Sequence, residues 1–290
     1  MRSFRILVNP RSGGGTAMAR VEPVAAALRA ASAHVEVVTS EGFEHSRDQV
    51  GAAVAAGQTV VACGGDGMLA SVAGAVVAAG GELGIVPSGR GNDFARMLGL
   101  LDDAVDIADV LLAGKSRPVD VIDAGGTVVL GSVYAGVDSR SSELVNGAHW
   151  LPGSMQYPYA ALRALLTHQP TTYTVDIDGD AHTFDAFSVI VANSAYYGKG
   201  MKVAPAAEVE DGVLDVVVLP KSSRLKLAML LPTVYDGSHA DRPEVLTFRG
   251  RRVTIAAKDR VPAFGDGEPI HDLPITAQVR PGALKVLLPG

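Results

Sequence analysis

Four short apolar runs, Phe4–Val8, Val35–Thr39, Thr59–Cys63 and Leu83–Val86, recur early in the chain with a helix-length spacer between each pair. The runs are rich in β-branched residues, as strands are. The spacers Thr16–Ala31, His45–Ala56 and Met68–Ala79 carry the small and apolar residues of helices that pack along one face. Strands separated by connections this long are not hairpin partners. They need crossovers and therefore lie mostly parallel in an α/β layer. A further helix is expected over Asp102–Ala113.

After about Asp120 the pattern changes. The runs Val119–Asp123 and Val128–Tyr134 flank Gly125-Gly126, and Tyr173–Ile177 and Phe184–Ala192 flank Asp178-Gly179. Such turn pairs mark hairpins. Further strands are expected at Leu214–Leu219, Val245–Phe248, Arg252–Ala257, Ile275–Val279 and Leu284–Leu288, with helices at Tyr157–Thr167 and Leu225–Tyr235. The expected fold is an α/β domain with a mostly parallel sheet over residues 1–118, followed by a β-rich domain over 119–290 built as an antiparallel β-sandwich or barrel. A cleft between two domains is a favoured ligand site.

At 290 residues, 48% hydrophobic and 19% charged, the chain is globular and long enough for two cores. The uncharged run Met68–Gly81 is too short to span a membrane, and the N-terminus enters a strand directly, with no signal peptide expected. Cys63 is the one cysteine, which fits a reducing compartment and excludes an internal disulfide. A net charge of −6 argues against nucleic acid as a partner. The seven histidines show no zinc-ligand spacing.

Three Gly-rich loops each follow a strand of the first domain: Asn9-Pro10-Arg11-Ser12-Gly13-Gly14-Gly15, Gly64-Gly65-Asp66-Gly67, and Pro87-Ser88-Gly89-Arg90-Gly91-Asn92-Asp93-Phe94. In an open α/β sheet the carboxyl ends of the strands line the ligand crevice, so the three are expected to converge. Backbone N–H groups at such turns hold anions, and a lone Gly-rich turn is often only a tight turn. Asp66 and Asp93 are carboxylates suited to Mg²⁺, or plain helix caps. No Walker lysine motif and no dinucleotide fingerprint stands at these loops.

Asn9-Pro10-x-Ser12-Gly13, Gly64-Gly65-Asp66-Gly67 and Gly89-x-Gly91-Asn92-Asp93-Phe94-Ala95-Arg96 resemble the signatures of the diacylglycerol, sphingosine and ceramide kinase catalytic domain, within a superfamily that also holds the NAD kinases. Asn193-x-x-Tyr196-Tyr197-Gly198-x-Gly200-Met201, Pro205-x-Ala207, Asp211-Gly212-Val213-Leu214-Asp215 and Asp266-Gly267-Glu268 follow in the family's order. The resemblance is closest to the bacterial lipid kinases and spans nearly the whole chain.

The resemblance implies an ATP- and Mg²⁺-dependent transfer of phosphate to a lipid hydroxyl, with diacylglycerol the leading acceptor. Asn9, Pro10, Arg11, Ser12, Gly13, Thr39, Gly64, Gly65, Asp66, Gly67, Met68, Leu69, Ala70, Ser71, Arg90, Gly91 and Asn92 match nucleotide-contacting segments. Asp66, Asp93 and Asp120 match acids linked to the catalytic magnesium through water. Glu208, Asp211 and the Val213 carbonyl match a second metal site. Asp266 and Glu268 match the pair that supplies the general base, their roles not separated; read by itself, Asp266-Gly267 is a hairpin turn. Two positions depart from the family: Met68 and Arg90 stand where threonine is usual.

The resemblance further implies an enzyme working from the cytoplasm at the inner face of the membrane, in transient contact with it, and family members often form homodimers. Trp150-Leu151, Met155 and Tyr157-Pro158-Tyr159 are read as an amphipathic mouth for acyl chains or as a helix packing face. Lys199, Lys202, Lys221, Arg224 and Lys226 make a local basic patch or a merely solvated one. Two rival readings are a NAD kinase, opposed by the Asn9 and Asp266 motifs, and a non-catalytic nucleotide or lipid sensor, suggested by Met68 and Arg90. A general α/β binding module explains neither the motif order nor the second acidic set.

Overall fold

Residues 2–100, 103–147 and 150–290 are described in a computed structural model. The chain divides into two units, residues 1–120 together with 281–290, and residues 121–280. The sequence assigns 119–290 to the second domain but leaves open whether the end of the chain returns to the first; the last ten residues join the first unit.

The first unit begins β1 (Ser3–Val8), α1 (Ala17–Ala30), β2 (His34–Thr39), α2 (Phe43–Ala55), β3 (Thr59–Gly64), α3 (Asp66–Ala79) and β4 (Glu82–Pro87). Next come α4 (Asp93–Met97), α5 (Ala104–Ala113) and β5 (Ser116–Ala124), whose last residues enter the second unit. Asp102, the expected start of α5, lies outside the described residues. The strand order is β2-β1-β3-β4, all parallel, as the crossover spacing predicts. Along α1 the buried residues Ala17, Val21, Val24, Ala25 and Leu28 form one helical face, packed on Phe4, Ile6, Val61 and Val86. α2 packs against α3. In this order the chain reverses direction between β1 and β3, and the loops leaving their carboxyl ends flank that switch point.

The second unit contains β6 (Thr127–Val129), β7 (Ser132–Gly136), α6 (Val137–Gly147), α7 (Gly153–Thr167), β8 (Thr171–Ile177), β9 (Asp180–Ala192), β10 (Leu214–Pro220) and α8 (Arg224–Leu230). It continues with β11 (Leu246–Gly250), β12 (Arg252–Ala257), β13 (Pro262–Gly265), β14 (Glu268–Asp272) and β15 (Ile275–Leu287), whose residues from Pro281 on belong to the first unit. It is an antiparallel β-sandwich: β7–β9, β8–β9, β9–β10, β10–β11, β8–β12, β12–β15, β7–β13 and β13–β14 all pair antiparallel. Its core gathers the inward residues of these strands, Tyr173, Val175, Val189, Val191, Val216, Val253 and Ile255 among them.

Three local expectations are corrected. The run Val128–Tyr134 is two strands, broken at Leu130-Gly131. β15 is a single strand through Pro281-Gly282, not two, and its end pairs parallel with β4 through Lys285 and Val286. α6 was not foreseen, because Val137–Gly147 is polar and serine-rich. Among the described residues no helix is long and apolar enough to cross a membrane.

Candidate active site

The first loop is built by Asn9. Its N–H donates to the Cys63 carbonyl (3.1 Å), and its Oδ1 accepts the Arg11 N–H (3.0 Å). Gly13, Gly14 and Gly15 all have positive φ (61°, 75° and 97°), a path that glycine follows without strain. Burial pushes the Cys63 thiol up to about 11, so this residue is a core side chain and not a thiolate.

The three loops do converge. The Gly65 N–H donates to Ser12 Oγ (3.4 Å), and the Ser88 N–H donates to the Gly64 carbonyl (3.0 Å). A methyl on Gly13 would stand 2.7 Å from the Ser88 carbonyl oxygen, and one on Gly89 would stand 2.4 Å from Gly65 Cα. These glycines therefore permit backbone to touch backbone. Met68, in the first turn of α3, folds back over Gly64, its Sδ 2.7 Å from where a Gly64 Cβ would lie. Leu69 is buried, and Ala70 and Ser71 are partly covered in the same helix. Thr39, Pro10, Arg11 and Arg90 are exposed at the ends of their strands and loops.

Asp66 opens α3, and its Oδ1 accepts the N–H groups of Asp93 (2.9 Å) and Phe94 (3.5 Å). Asn92, at φ 53°, holds its own loop by accepting the Gly89 N–H on Oδ1 (2.7 Å). A Cβ on Gly91 would lie 3.0 Å from Asp66 Oδ2 and 3.1 Å from Asp93 Oδ2. Two carboxylate oxygens from different loops thus face one small volume that only glycine leaves open. That cradle suits a hard divalent ion that keeps waters and takes further oxygens from phosphate. Among the described residues no group of three His, Cys, Asp or Glu side chains is gathered closely enough to hold a metal unaided. Asp120 is buried on β5 and accepts the Gly282 N–H (2.7 Å), anchoring the returning strand.

In the second unit, Asp266 sits at φ 49° in the β13–β14 hairpin, the turn its Asp-Gly pair suggested. Its carboxylate accepts the N–H groups of Leu130 (2.7 Å), Gly131 (2.8 Å) and Ser132 (3.2 Å), which is what breaks the Val128–Tyr134 run. Asn193 clamps the same bend, its Nδ2 donating to the Leu130 carbonyl (2.9 Å). Glu268, by contrast, is exposed. Asp211 accepts the Val213 N–H on Oδ1 (3.0 Å) and is ion-paired through Oδ2 with Arg249, whose Nε also lies 3.5 Å from Asp215 Oδ2. Glu208 is exposed. At the residues of the expected second metal set, the Arg249 guanidinium thus lies against both Asp211 and Asp215.

Residues 3–124 match the diacylglycerol kinase catalytic domain, and residues 131–288 match the YegS C-terminal NAD kinase beta sandwich-like domain. The chain belongs to the diacylglycerol kinase and YegS family of lipid kinases. It is 31% identical to a diacylglycerol kinase of Mycobacterium tuberculosis (strain ATCC 25618 / H37Rv), covering 98% of this chain and 94% of that protein. It is 30% identical to a YegS-like lipid kinase of Pseudomonas aeruginosa PAO1, covering 93% and 90%. The fold matches a crystal structure of a diacylglycerol kinase from Bacillus anthracis str. Sterne, with a TM-score of 0.75 at 18% identity over 99% of this chain and 97% of that one.

Membership of a lipid kinase family implies ATP as the phosphate donor. One titratable group in this kinase escaped the sequence reading. Asp138, in the first turn of α6, accepts hydrogen bonds from the Ser188 and Tyr197 hydroxyls. Burial pushes its carboxyl above the ordinary value, against the pull of those two donors. Tyr197 belongs to the Asn193 motif. Its partner lies 59 residues away in sequence and left no local signal.

Proposed function

We propose that this lipid kinase phosphorylates diacylglycerol, using Mg²⁺-bound ATP, to give phosphatidic acid. The observation that carries the reading is the cradle over Gly91, where Asp66 and Asp93 present two carboxylate oxygens beside the Gly-rich phosphate loops. The lipid oxygen forms a bond to the γ-phosphorus, the bond from that phosphorus to the β–γ bridging oxygen breaks, and ADP leaves with the electron pair. The hydroxyl proton is assigned to the acid pair Asp266 and Glu268. Bound Mg²⁺ would supply charge neutralisation at the β- and γ-phosphates. Asp66 and Asp93 would hold the ion through water, with Asp120 proposed as a third acid of that set. The residues of the first loop, Thr39, Gly64–Ser71 and Arg90–Asn92 are assigned to the nucleotide. Most of the acceleration then comes from positioning and charge complementarity.

The enzyme is placed at the inner face of the membrane, reached from the cytoplasm, and its assembly as a homodimer is tested by sedimentation velocity. The substrate is tested by offering γ-labelled ATP with diacylglycerol, sphingosine, ceramide, phosphatidylglycerol and NAD in turn, with Mg²⁺ or with chelator. Label in phosphatidic acid that disappears with chelator is expected. Label on another lipid alone corrects the acceptor, and label that persists in chelator removes the metal from the account.

A further inference from the structure

Ten large hydrophobic side chains are exposed among the described residues, and seven of them fall between Trp150 and Tyr235. They are arranged in stripes. On α7, Met155, Leu162 and Leu166 lie at helical spacing on one face, while Gln156, Ala160 and Ala164 of another face are buried. Trp150 stands 70% exposed, with its ring edge-on to Tyr159 of α7 at 5.6 Å. On α8, Leu225 and Met229 are exposed one turn apart (70% and 61%), while Leu227 between them is buried. The two helices belong to one surface: Ala164 and Leu165 share a core cluster with Leu227, and Arg224 Nη2 donates to the His168 carbonyl (2.8 Å). Packing accounts for the inner faces of both helices and leaves the outer ones uncovered.

The segments that carry these stripes contain cations and no acid of their own, although Glu244 from outside them pairs with Lys226. The chain has a net charge of −6, yet no acidic residue occurs between Glu143 and Asp176 or between Asp215 and Asp236. Those two stretches contain Arg163, Lys221, Arg224 and Lys226. Arg163 lies over Tyr159, with its guanidinium carbon 5.8 Å from the ring centre, and Lys226 reaches Glu244 at 3.4 Å while staying 60% exposed. Apolar stripes bordered by cations on an otherwise acidic protein match a headgroup layer of negative charge with hydrocarbon beneath it. A soluble partner that matched only the apolar stripe would not need the acid-free flanks.

We propose that the outer faces of α7 and α8 form the surface by which the protein docks on an anionic lipid bilayer. The proposal rests on the lipid-kinase reading, since the acceptor then resides in that bilayer. Residues of both stripes would enter the boundary between headgroups and acyl chains, and Arg163, Lys221 and Lys226 would meet the phosphates.

Co-sedimentation with phosphatidylcholine vesicles, with or without phosphatidylglycerol, tests it. Wild-type protein should bind the phosphatidylglycerol vesicles and bind the neutral ones at least about tenfold more weakly. Met155→Glu/Leu162→Glu and Leu225→Glu/Met229→Glu should each lose binding. Lys221→Gln/Lys226→Gln should weaken it by about fivefold per charge removed. Val105→Glu, an equally exposed position on α5, should leave it unchanged. Unaltered melting temperatures establish that the variants are folded. Equal binding to both vesicle types, or full binding by the two Glu double variants, overturns the proposal. So does a change from dimer to monomer in those variants without loss of vesicle binding, which would make the face a protein interface. Wild-type phosphorylation of a short-chain diacylglycerol free in solution reports separately on the lipid-kinase reading, so the two failures are distinguishable.

Discussion

Gly65 and Gly89 pack backbone against backbone, so close that a methyl on Gly89 would lie 2.4 Å from Gly65 Cα. This contact locks the loop after β3 to the loop after β4, and it places Asp66 where its carboxylate can receive the Asp93 and Phe94 N–H groups. The convergence of these loops is thus shaped by the absence of side chains as much as by the acids they present.

Gly89→Ala should separate the two loops. Main-chain atoms cannot swing aside as a flexible side chain would, so a stability cost of about 1–3 kcal/mol is expected, with a larger proportional loss of turnover. Thermal denaturation and lipid phosphorylation measured on the same preparation check both. A variant with wild-type turnover would show that the contact does not shape the site.

Asp266 and Glu268 should behave differently although they stand two residues apart. Asp266→Ala strips three backbone N–H groups of their acceptor and should cost about 1–3 kcal/mol of stability as well as activity. Glu268→Gln alters an exposed side chain and should leave the melting temperature unchanged. If Glu268→Gln loses turnover at full stability, the proton-accepting role falls on Glu268.

Arg249 should make the second unit indifferent to divalent cations. Without nucleotide, the wild-type melting temperature should not change on adding Mg²⁺ at matched ionic strength. Arg249→Met should melt lower, by about 1 kcal/mol of stability for a half-exposed pair, and should recover with Mg²⁺ as Asp211 and Asp215 become available. A Mg²⁺-dependent rise in the wild type would mean that an ion displaces the guanidinium.

Asp138 should leave a signature in the pH dependence of stability. Its carboxyl is held above the ordinary value of 3.8, so the folded state retains the proton to higher pH than the unfolded chain does. The stability this contributes is complete below 3.8 and is lost as pH rises through the folded value. Asp138→Asn keeps an acceptor for the Ser188 or Tyr197 hydroxyl and does not ionise. The melting temperature of the variant should gain on wild type as pH rises from acid to neutral. A constant difference between the two would show that Asp138 does not titrate in that range.

The parallel layer was readable because each crossover is local: strand, helix and strand each carry their own periodicity within a few tens of residues. The Gly-rich loops were readable for the same reason, since glycine at a turn announces itself. What escaped depends on distant partners. Nothing near Leu130-Gly131 shows that their N–H groups belong to Asp266, 135 to 136 residues further on. The pairing of Asp211 with Arg249 across 38 residues was equally silent. α6 escaped because only Val137, Leu144 and Val145 of its 11 residues are large and apolar, too short a stripe to stand out in a serine-rich segment.

The most direct test of the account is transfer of γ-labelled phosphate from ATP into organic-soluble diacylglycerol product by wild-type protein and by Asp66→Asn. The variant keeps an oxygen for the Asp93 N–H and loses the charge, so it should melt like wild type. Its turnover should fall by about 10²–10³-fold. Wild-type turnover in Asp66→Asn would contradict the assignment of the Asp66–Asp93 cradle as the centre of phosphoryl transfer.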